Sequence, residues 1–238
     1  MSNRRMTFTF DGVVSSTYGV YISGGGTYNA AARDVDVIEV PGRDGVLTLD
    51  NGRFDSIKHT YEAFIIPGFS ANVEGLRNQL MARRGHKRLT DGYHPDEFYL
   101  AYYERGLEVK PTETLREGTL TIEFTRDPRR FLTSGETVTA LTADGSITNP
   151  TLFSSRPLLR VYGTGVLGIG DQYITISAAD TYTDIDCEMR ECFKGLVSKN
   201  MNVSFSGDDF PELHPGANGI DLQTGITRVE ITPRWYRL

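Results

Sequence analysis

The stretch LTIEFT, residues 120–125, alternates apolar side chains with hydroxyl or acidic ones at every position. Successive side chains of a β-strand point to opposite faces of a sheet, so this pattern predicts a strand with one buried face and one solvated face. Phe8 and Phe10 alternate with threonines in the same way. The chain is therefore predicted to be mainly β and to consist of antiparallel strands.

Further runs with the composition of strands are separated by glycine and proline. They cover residues 35–40, 57–66, 97–103, 158–162, 173–177, 183–188 and 220–223. One segment has helical periodicity instead, because Val73, Leu76 and Leu80 fall on one side of a helix. We expect this helix over residues 70–84, with Ser70 as its N-cap and Gly85 as its stop.

Residues 126–139 carry proline, glycine and charge directly after a strong strand, as connections between domains often do. We therefore place a domain boundary near residue 135. The predicted architecture is an N-terminal antiparallel β domain with one α-helix, residues 1–135, followed by an all-β sandwich of short strands, residues 136–238.

The segment FPELHPGANGI, residues 210–220, contains two prolines and two glycines, so the backbone must turn there before a final strand. In that strand Thr227, Val229, Ile231 and Trp235 are predicted to line one face. A large apolar side chain so near the end is normally docked. We expect the last domain to close at its last residues, with no tail beyond it.

The balance of charges limits the classes of function. The net charge of −6 at pH 7 argues against a protein that grips nucleic acid, because duplex binding needs clustered cations. No run approaches the roughly 20 apolar residues of a transmembrane helix. We expect neither specific nucleic-acid binding nor a membrane as partner.

Two motifs suggest ligand chemistry and have simpler interpretations. GTGVLG, residues 163–168, fits the dinucleotide pattern GxGxxG, but the residues after it continue as turn and strand, so a glycine-rich hairpin is favoured. Asp184, Asp186 and Glu188 would share one strand face and could offer oxygen ligands to calcium. A solvated face with Arg190 as charge partner is the favoured interpretation.

Catalysis has no candidate constellation in this sequence. His59, His86, His94 and His214 are dispersed and lack the context of a known catalytic motif. The cysteines, Cys187 and Cys192, are interpreted as inert thiols in preference to a disulfide or a metal pair. We expect no enzyme activity, no metal and no cofactor.

The turns of the chain form a series in a fixed order. They are residues 11–12, 18–20, 40–45 (VPGRDG), 127–132 (DPRRFL), 149–150, 155–157 and 210–218, together with Asp186, Glu188 and the ending Pro233-Arg234-Trp235. Over nearly the whole chain this series resembles the distal tail proteins of bacteriophages with long, noncontractile tails, particularly those that infect Gram-positive hosts.

The resemblance implies a structural virion protein at the tail tip, synthesised in the host cytoplasm. It would form a homohexameric ring that joins the tail tube protein to the tail-associated lysin or tail-tip protein and leaves a channel for DNA. The N-terminal domain would build the ring, and the C-terminal domain would be a galectin-like β-sandwich facing outward. Receptor-binding proteins or fibres are candidate partners of that sandwich. The alternative is a carbohydrate-binding β-sandwich adhesin that uses the aromatic residues of the second domain.

Two places are candidate interfaces. Arg43 and Asp44 lie between glycines in a loop after Pro41, and exposed loops often carry function, although an internal ion pair in a structural hairpin is an equal alternative. Aromatic side chains are dense over residues 98–103, and alternation would split them between a core face and a protein interface. Tyr99 and Tyr103 are the predicted interface residues of this second group.

Overall fold

The computed structural model describes residues 7–26, 28–66, 68–113 and 116–238. The chain is mainly β, as predicted, and its strands are antiparallel. It divides into two compact units: an N-terminal unit that ends at Arg130 and also includes Leu238, and a sandwich unit of residues 131–237.

The strands and helices succeed one another along the chain as follows. The strands up to the unit boundary are β1 Phe8–Phe10, β2 Val13–Val14, β3 Val20–Ser23, β4 Arg33–Glu39, β5 Val46–Phe54, β6 Ile57–Ile65, β7 Lys87–Asp91, β8 Glu97–Tyr102, β9 Val109–Pro111, β10 Gly118–Arg126 and β11 Arg130–Leu132. The later strands are β12 Thr139–Leu141, β13 Gly145–Asn149, β14 Leu158–Gly163, β15 Gly165–Ile169, β16 Gln172–Ile176, β17 Tyr182–Asp186, β18 Glu191–Lys194, β19 Val197–Ser198, β20 Val203–Phe205, β21 Gly216–Leu222, β22 Ile226–Thr232 and β23 Tyr236–Arg237. The helices are α1 Phe69–Met81 and short 3-10 turns at Ser15–Tyr18, Thr133–Glu136 and Asn200–Asn202.

The main sheet of the N-terminal unit has the order β2-β1-β7-β8-β10-β6-β3, and β9 also pairs with β10. Ser15 joins the two ends of this sheet. Its Oγ accepts a hydrogen bond from the backbone N–H of Phe8 at 3.3 Å and donates one to the carbonyl of Val20 at 2.9 Å. Because Phe8 lies in β1, beside the end strand β2, and Val20 lies in the other end strand β3, the sheet curls around the apolar core of this unit.

Helix α1 covers this interior with Leu76 and Leu80, both buried, as the periodicity predicts. The predicted N-cap is wrong, since the helix begins at Phe69 and its N-cap position is Gly68, which has a φ of 99°. The ring of Phe69 packs against the core, and that contact draws Ser70 into the first turn. The helix ends at Met81, before the predicted stop at Gly85.

The sandwich unit consists of two antiparallel sheets. One has the order β12-β22-β14-β17-β18-β19, and the other has the order β13-β21-β15-β16-β20. Their inner faces share one apolar core, in which Leu159 and Val229 of the first sheet meet Leu167 and Ile174 of the second. Burial of both faces in one core defines a β-sandwich.

The GTGVLG segment forms a corner between the sheets, so its interpretation as a hairpin is wrong. Strand β14 belongs to one sheet and β15 to the other, and β21 and β22 change sheets at the same point. The N–H of Thr164 donates to the carbonyl of Gly225 at 3.2 Å. A Cβ on Gly163 would lie 2.1 Å from that carbonyl oxygen, which leaves room only for glycine. The glycines of this segment allow two stretches of backbone to approach each other closely.

The end of the described chain packs into the sandwich core. Val229 and Ile231 are buried in β22 as predicted, but Thr227 is exposed and Ile226 takes the inward position. A register irregularity opposite Gly163 shifts this end of the strand. The strand stops at Thr232, and Trp235 reaches the core from the segment that follows.

Candidate assembly surface

Strands β4 and β5 form a long hairpin, which we call the β4–β5 hairpin, that pairs with no other described strand. The register places Asp36 opposite Leu49 and Ile38 opposite Leu47, so these four side chains share one face. Such a two-stranded ribbon leaves both outer strand edges without a ladder partner among the described residues. The hairpin therefore offers open edges as well as two open faces.

Large apolar side chains are exposed on both faces of the hairpin. On one face Ile38 is 50% exposed and Leu49 is 57% exposed, and Leu47 lies beside them. On the other face Val37 is 61% exposed, with Val46 close by in the register. Exposed apolar patches on a folded chain mark interaction surfaces, and on a strand pair they favour association with another polypeptide.

The half of the hairpin near its root is polar. Arg33 forms an ion pair with Asp50 at 2.8 Å, and Arg53 forms one with Asp34. Asn51 donates to Asp34 at 3.2 Å. These cross-strand pairs fix the register of the root, so the apolar residues of the other half are held out on a defined ribbon.

The predicted interface residues Arg43 and Asp44 lie in the tip that joins the two strands, and both are exposed. Gly42 and Gly45 flank them with φ angles of 82° and 77°. The N–H of Arg43 donates to the carbonyl of Val40 at 3.1 Å, which closes the turn. The described residues give neither charged side chain an ion pair, so the tip presents one positive and one negative group to its surroundings.

Tyr99 and Tyr103 are not surface residues, and the prediction that they form an interface is corrected. Tyr99 is 1% exposed and Tyr103 is 8% exposed, and both belong to the core of the N-terminal unit. The ring of Tyr103 packs edge-on against Phe124 at 5.7 Å between centroids. The curled sheet buries the face that the sequence pattern would have left open, because strand β8 lies in its middle.

Asp91 is the centre of a buried polar cluster in the N-terminal unit. Tyr61 Oη donates to its Oδ2 at 2.7 Å, and the N–H of His94 donates to its Oδ1 at 2.8 Å. His59 Nε2 lies 3.6 Å from Oδ2, and both side chains are almost fully enclosed. Burial opposes ionisation of this carboxyl, but His59, Tyr61 and His94 outweigh that effect and lower its pKa to about 2. Because His59 and His94 are enclosed beside Asp91, we assign them a structural role.

We expect the free energy of unfolding of the N-terminal unit to decrease as the pH falls from about 4 to about 2. The folded pKa of Asp91 is depressed to about 2, so its ionised form stabilises the fold above the ordinary aspartate pKa. That stabilisation is lost as the pH passes down through the folded pKa, and the difference amounts to roughly 2 kcal/mol. Urea unfolding at several pH values, followed by the near-UV signal of the buried tyrosines, measures it.

The Asp91→Asn variant should be less stable at neutral pH and should show a flatter profile within this window. Asp36→Asn on the exposed hairpin is the control, and it should keep the wild-type slope. If Asp91→Asn retained that slope, another carboxyl would be responsible for the acid sensitivity.

The acidic row of the sandwich unit does not present three carboxylates together. Asp184 accepts two hydrogen bonds from Arg160, at 2.7 and 3.0 Å, and Asp186 accepts two from Arg234, at 2.7 and 2.8 Å. Glu188 lies beyond the end of β17, in a turn. Across the described residues no group of three or more histidine, cysteine or acidic side chains could hold a metal ion. Both aspartates have structural partners.

Cys187 and Cys192 are free thiols buried in the sandwich core. Burial raises the pKa of both thiols, most strongly that of Cys187, where Asp186 adds to the effect. Neither thiol is activated as a nucleophile.

His214 lines a depression of about 500 Å³ in the sandwich unit. Its lining includes Asp171, Gln172, Glu212, His214 and Asn218. Several of these groups already have partners: the N–H of His214 donates to Asn218 at 2.8 Å, and Arg156 donates to Glu212 at 3.0 Å. His214 Nδ1 lies 2.9 Å from Ser154 Oγ. The remaining histidine, His86, packs edge-on against Tyr102.

The sequence pattern predicts the tip of the hairpin and its first strand but not its second strand. That second strand, VLTLDNGRF, residues 46–54, contains exposed apolar residues and a glycine. The available signal was its position, since the turn at residues 41–45 directly follows a predicted strand and thus indicates a hairpin.

No described helix is long and apolar enough to cross a membrane.

The chain resembles known proteins in structure and not in sequence. No protein-family model matches the sequence, and no curated protein matches it significantly. In structure the chain is similar to the Dit protein of phage SPP1, described as a paradigm of the hub adsorption apparatus in phages that infect Gram-positive hosts. The TM-score is 0.75 at 16% identity, and the match covers 98% of this chain and 99% of the SPP1 protein.

The phage P2 baseplate in its activated, calcium-containing conformation gives a TM-score of 0.43 at 9% identity, with 90% of each chain covered. At 16% identity, what the chain shares with the SPP1 protein is its fold. The shared fold agrees with the mainly β architecture of two domains that the sequence predicts.

Proposed function

We propose that this chain is the distal tail hub of a phage with a long, noncontractile tail. Six copies form a ring at the tail tip that connects the tail tube protein to the tail-associated lysin or tail-tip protein. The ring leaves a channel for the passage of DNA. The N-terminal unit builds the ring, and the sandwich unit is the galectin-like outer domain, with fibres or receptor-binding proteins as its candidate partners.

The observation that carries this proposal is the extent of the structural match. Both units are included, and almost no residue of either chain lies outside the matched length. A likeness confined to the sandwich would support little, because β-sandwiches host many unrelated functions. A shared succession of two dissimilar units is a much narrower property.

The hairpin supports a role in assembly. A ring of identical subunits needs two different complementary surfaces on each copy, so that each subunit contacts the next head to tail. A hairpin with open edges and exposed Ile38, Leu49 and Val37 is suited to be one of them. Ring closure would bury these side chains and remove the open edges of the hairpin.

The size of the particle in solution tests the proposal. Six chains of 26.5 kDa form a ring of about 159 kDa. Light scattering on a sizing column across a range of protein concentrations should approach this mass, and negative-stain images should show a ring with a central opening. Particles of another symmetry, or a chain that stays monomeric at the highest concentrations and also with its tail tube partner, would contradict it.

Exchanging the charges of the hairpin tip, Arg43→Asp with Asp44→Arg, should weaken self-association by about tenfold, since charged groups at an interface fix orientation through complementary partners. The two residues are exposed and the described chain gives them no ion pair, so the fold should be unaffected. Sedimentation velocity measures the association. The control exchanges Arg190 and Asp209, an exposed ion pair of the sandwich unit, and should leave assembly unchanged. If both variants assembled equally well, the hairpin tip would not be part of the interface.

A further inference from the structure

Arg126 is a buried arginine that has no carboxylate partner among the described residues. Only 2% of it is exposed, and its guanidinium stacks over the ring of Tyr99 at 4.7 Å. Its hydrogen bonds go to backbone carbonyls: to Asn29 at 3.2 Å, to Asp127 at 3.2 Å and to Pro128 at 3.4 Å. The proposed ring function does not by itself require such a residue inside the N-terminal unit.

Arg126 contacts the first leg of the β4–β5 hairpin and pairs with the residue that directly follows the second leg. The first leg, residues 28–32, leads into β4, and the guanidinium holds it through the carbonyl of Asn29. The second leg, residues 55–56, leads from β5 into β6, and the first residue of β6, Ile57, is the strand partner of Arg126 in the ladder with β10. Between these anchors, the N–H of Asp55 donates to the carbonyl of Ala32 at 2.9 Å and closes the root.

The energetic cost of burying a charge indicates that the role of Arg126 lies in the directions of its hydrogen bonds. Moving a charged side chain from water into a protein interior is costly, and a well-packed apolar residue of similar volume is often as stable or more stable. A planar guanidinium can satisfy several carbonyls in fixed directions, which an apolar residue cannot do. At this position the fixed directions define where the first leg leaves the sheet.

We propose that Arg126 is the positioning residue of the hairpin, and that it holds the root so that the hairpin projects in one direction toward a neighbouring copy of this chain. This inference rests on the proposed ring function for its purpose. The positioning itself is a property of the single subunit. A hairpin with a fixed root loses less conformational freedom when it docks and therefore binds more tightly.

The test uses the full chain with Arg126→Met, which keeps most of the volume and removes the carbonyl hydrogen bonds. Hydrogen exchange of the dilute monomer should show the amides of Asp55 and residues 33–36 exchanging at least about tenfold faster than in the wild type. Amides of the sandwich unit and of the middle of β10 should change much less. At higher concentration, self-association should weaken by at least about tenfold.

The matched control is Arg160→Met in the sandwich unit. Arg160 also stacks over a tyrosine ring, that of Tyr182 at 4.4 Å, but it is partly exposed and pairs with Asp184, so this control removes an arginine with internal contacts far along the chain from the hairpin. It should change neither exchange at the root nor assembly. If Arg126→Met does not fold, Arg126→Lys decides the matter, because an ammonium lacks the planar fork that reaches Asn29 and Asp127 together.

The outcomes separate the two proposals. If exchange at the root rises no more than exchange in the middle of β10, Arg126 only stabilises the unit and the inference is wrong, even where the wild type forms rings. If root exchange rises selectively but the wild type forms no ring, Arg126 positions the hairpin and the proposed ring function is wrong.

Discussion

The double variant Ile38→Thr with Leu49→Thr is expected to stay folded and to lose self-association, with a dissociation constant raised by about a hundredfold or more. Both side chains lie on the same face of the hairpin and are about half exposed in the single subunit. Burial of such a side chain contributes roughly 1.5–3 kcal/mol, and each 1.4 kcal/mol is about a factor of ten in affinity.

The fold should survive because neither residue belongs to the core of the N-terminal unit. Threonine is β-branched and favours strands, so the hairpin keeps its intrinsic preference while its apolar surface is lost. The far-UV circular dichroism and the thermal midpoint should match the wild type. Sedimentation equilibrium then measures association separately from folding.

Leu196→Thr is the control for this pair. Leu196 is fully exposed at the turn between β18 and β19 in the sandwich unit, so its replacement removes comparable apolar surface outside the hairpin. The control should assemble like the wild type. Loss of assembly in the control alone would move the interface to the sandwich unit, and retention of assembly in both variants would leave the hairpin without a role in the ring.

The elements with the clearest sequence patterns are those in which one face is buried. Strand β10 alternates because one face of it packs on the core, and α1 shows its apolar stripe because Leu76 and Leu80 do the same. Strand β5 has no such contrast, since it is exposed along nearly its whole length. Its apolar residues have no pattern relative to a core, and the sequence alone gives no signal of burial for them.

The incorrect prediction that Tyr99 and Tyr103 form an interface has a different physical cause. Alternation predicts two faces for β8, but it does not say whether the second face meets solvent or other parts of the unit. The sheet curls through the link that Ser15 makes between its ends, so both tyrosines are enclosed. The order of strands within that sheet pairs β1 with β7 and β6 with β10, which are distant in sequence, so local alternation cannot reveal it.

The acidic residues of the sandwich unit also have partners that their spacing in the sequence does not suggest. Asp184 and Asp186 form a row along one strand, yet each carboxylate is taken by a separate arginine, Arg160 and Arg234. The arginines come from elements far away in sequence, so local spacing could not reveal them. The acidic row is therefore explained by internal pairing, and it offers no ligand site.

The Gly225→Ala variant is expected to destabilise the sandwich unit by at least about 3 kcal/mol. Gly225 has a φ of 97°, and a Cβ there would lie 1.9 Å from the carbonyl oxygen of Thr164. The backbone would have to separate at the corner where β14 passes to β15 and β21 to β22, which breaks the hydrogen bond from Thr164 to Gly225. Both sheets lose their common corner at once, so the cost exceeds that of an ordinary glycine replacement.

Urea unfolding followed by tryptophan fluorescence measures this effect in the correct unit, because Trp235 is the only tryptophan and lies in the sandwich core. Gly170→Ala is the matched control: Gly170 has a φ of 56°, but a Cβ there meets no atom within 4 Å. It should cost only about 1 kcal/mol, the strain of a left-handed backbone for alanine. Equal losses in the two variants would mean that the corner can open without penalty, and that Gly225 is required for its φ angle alone.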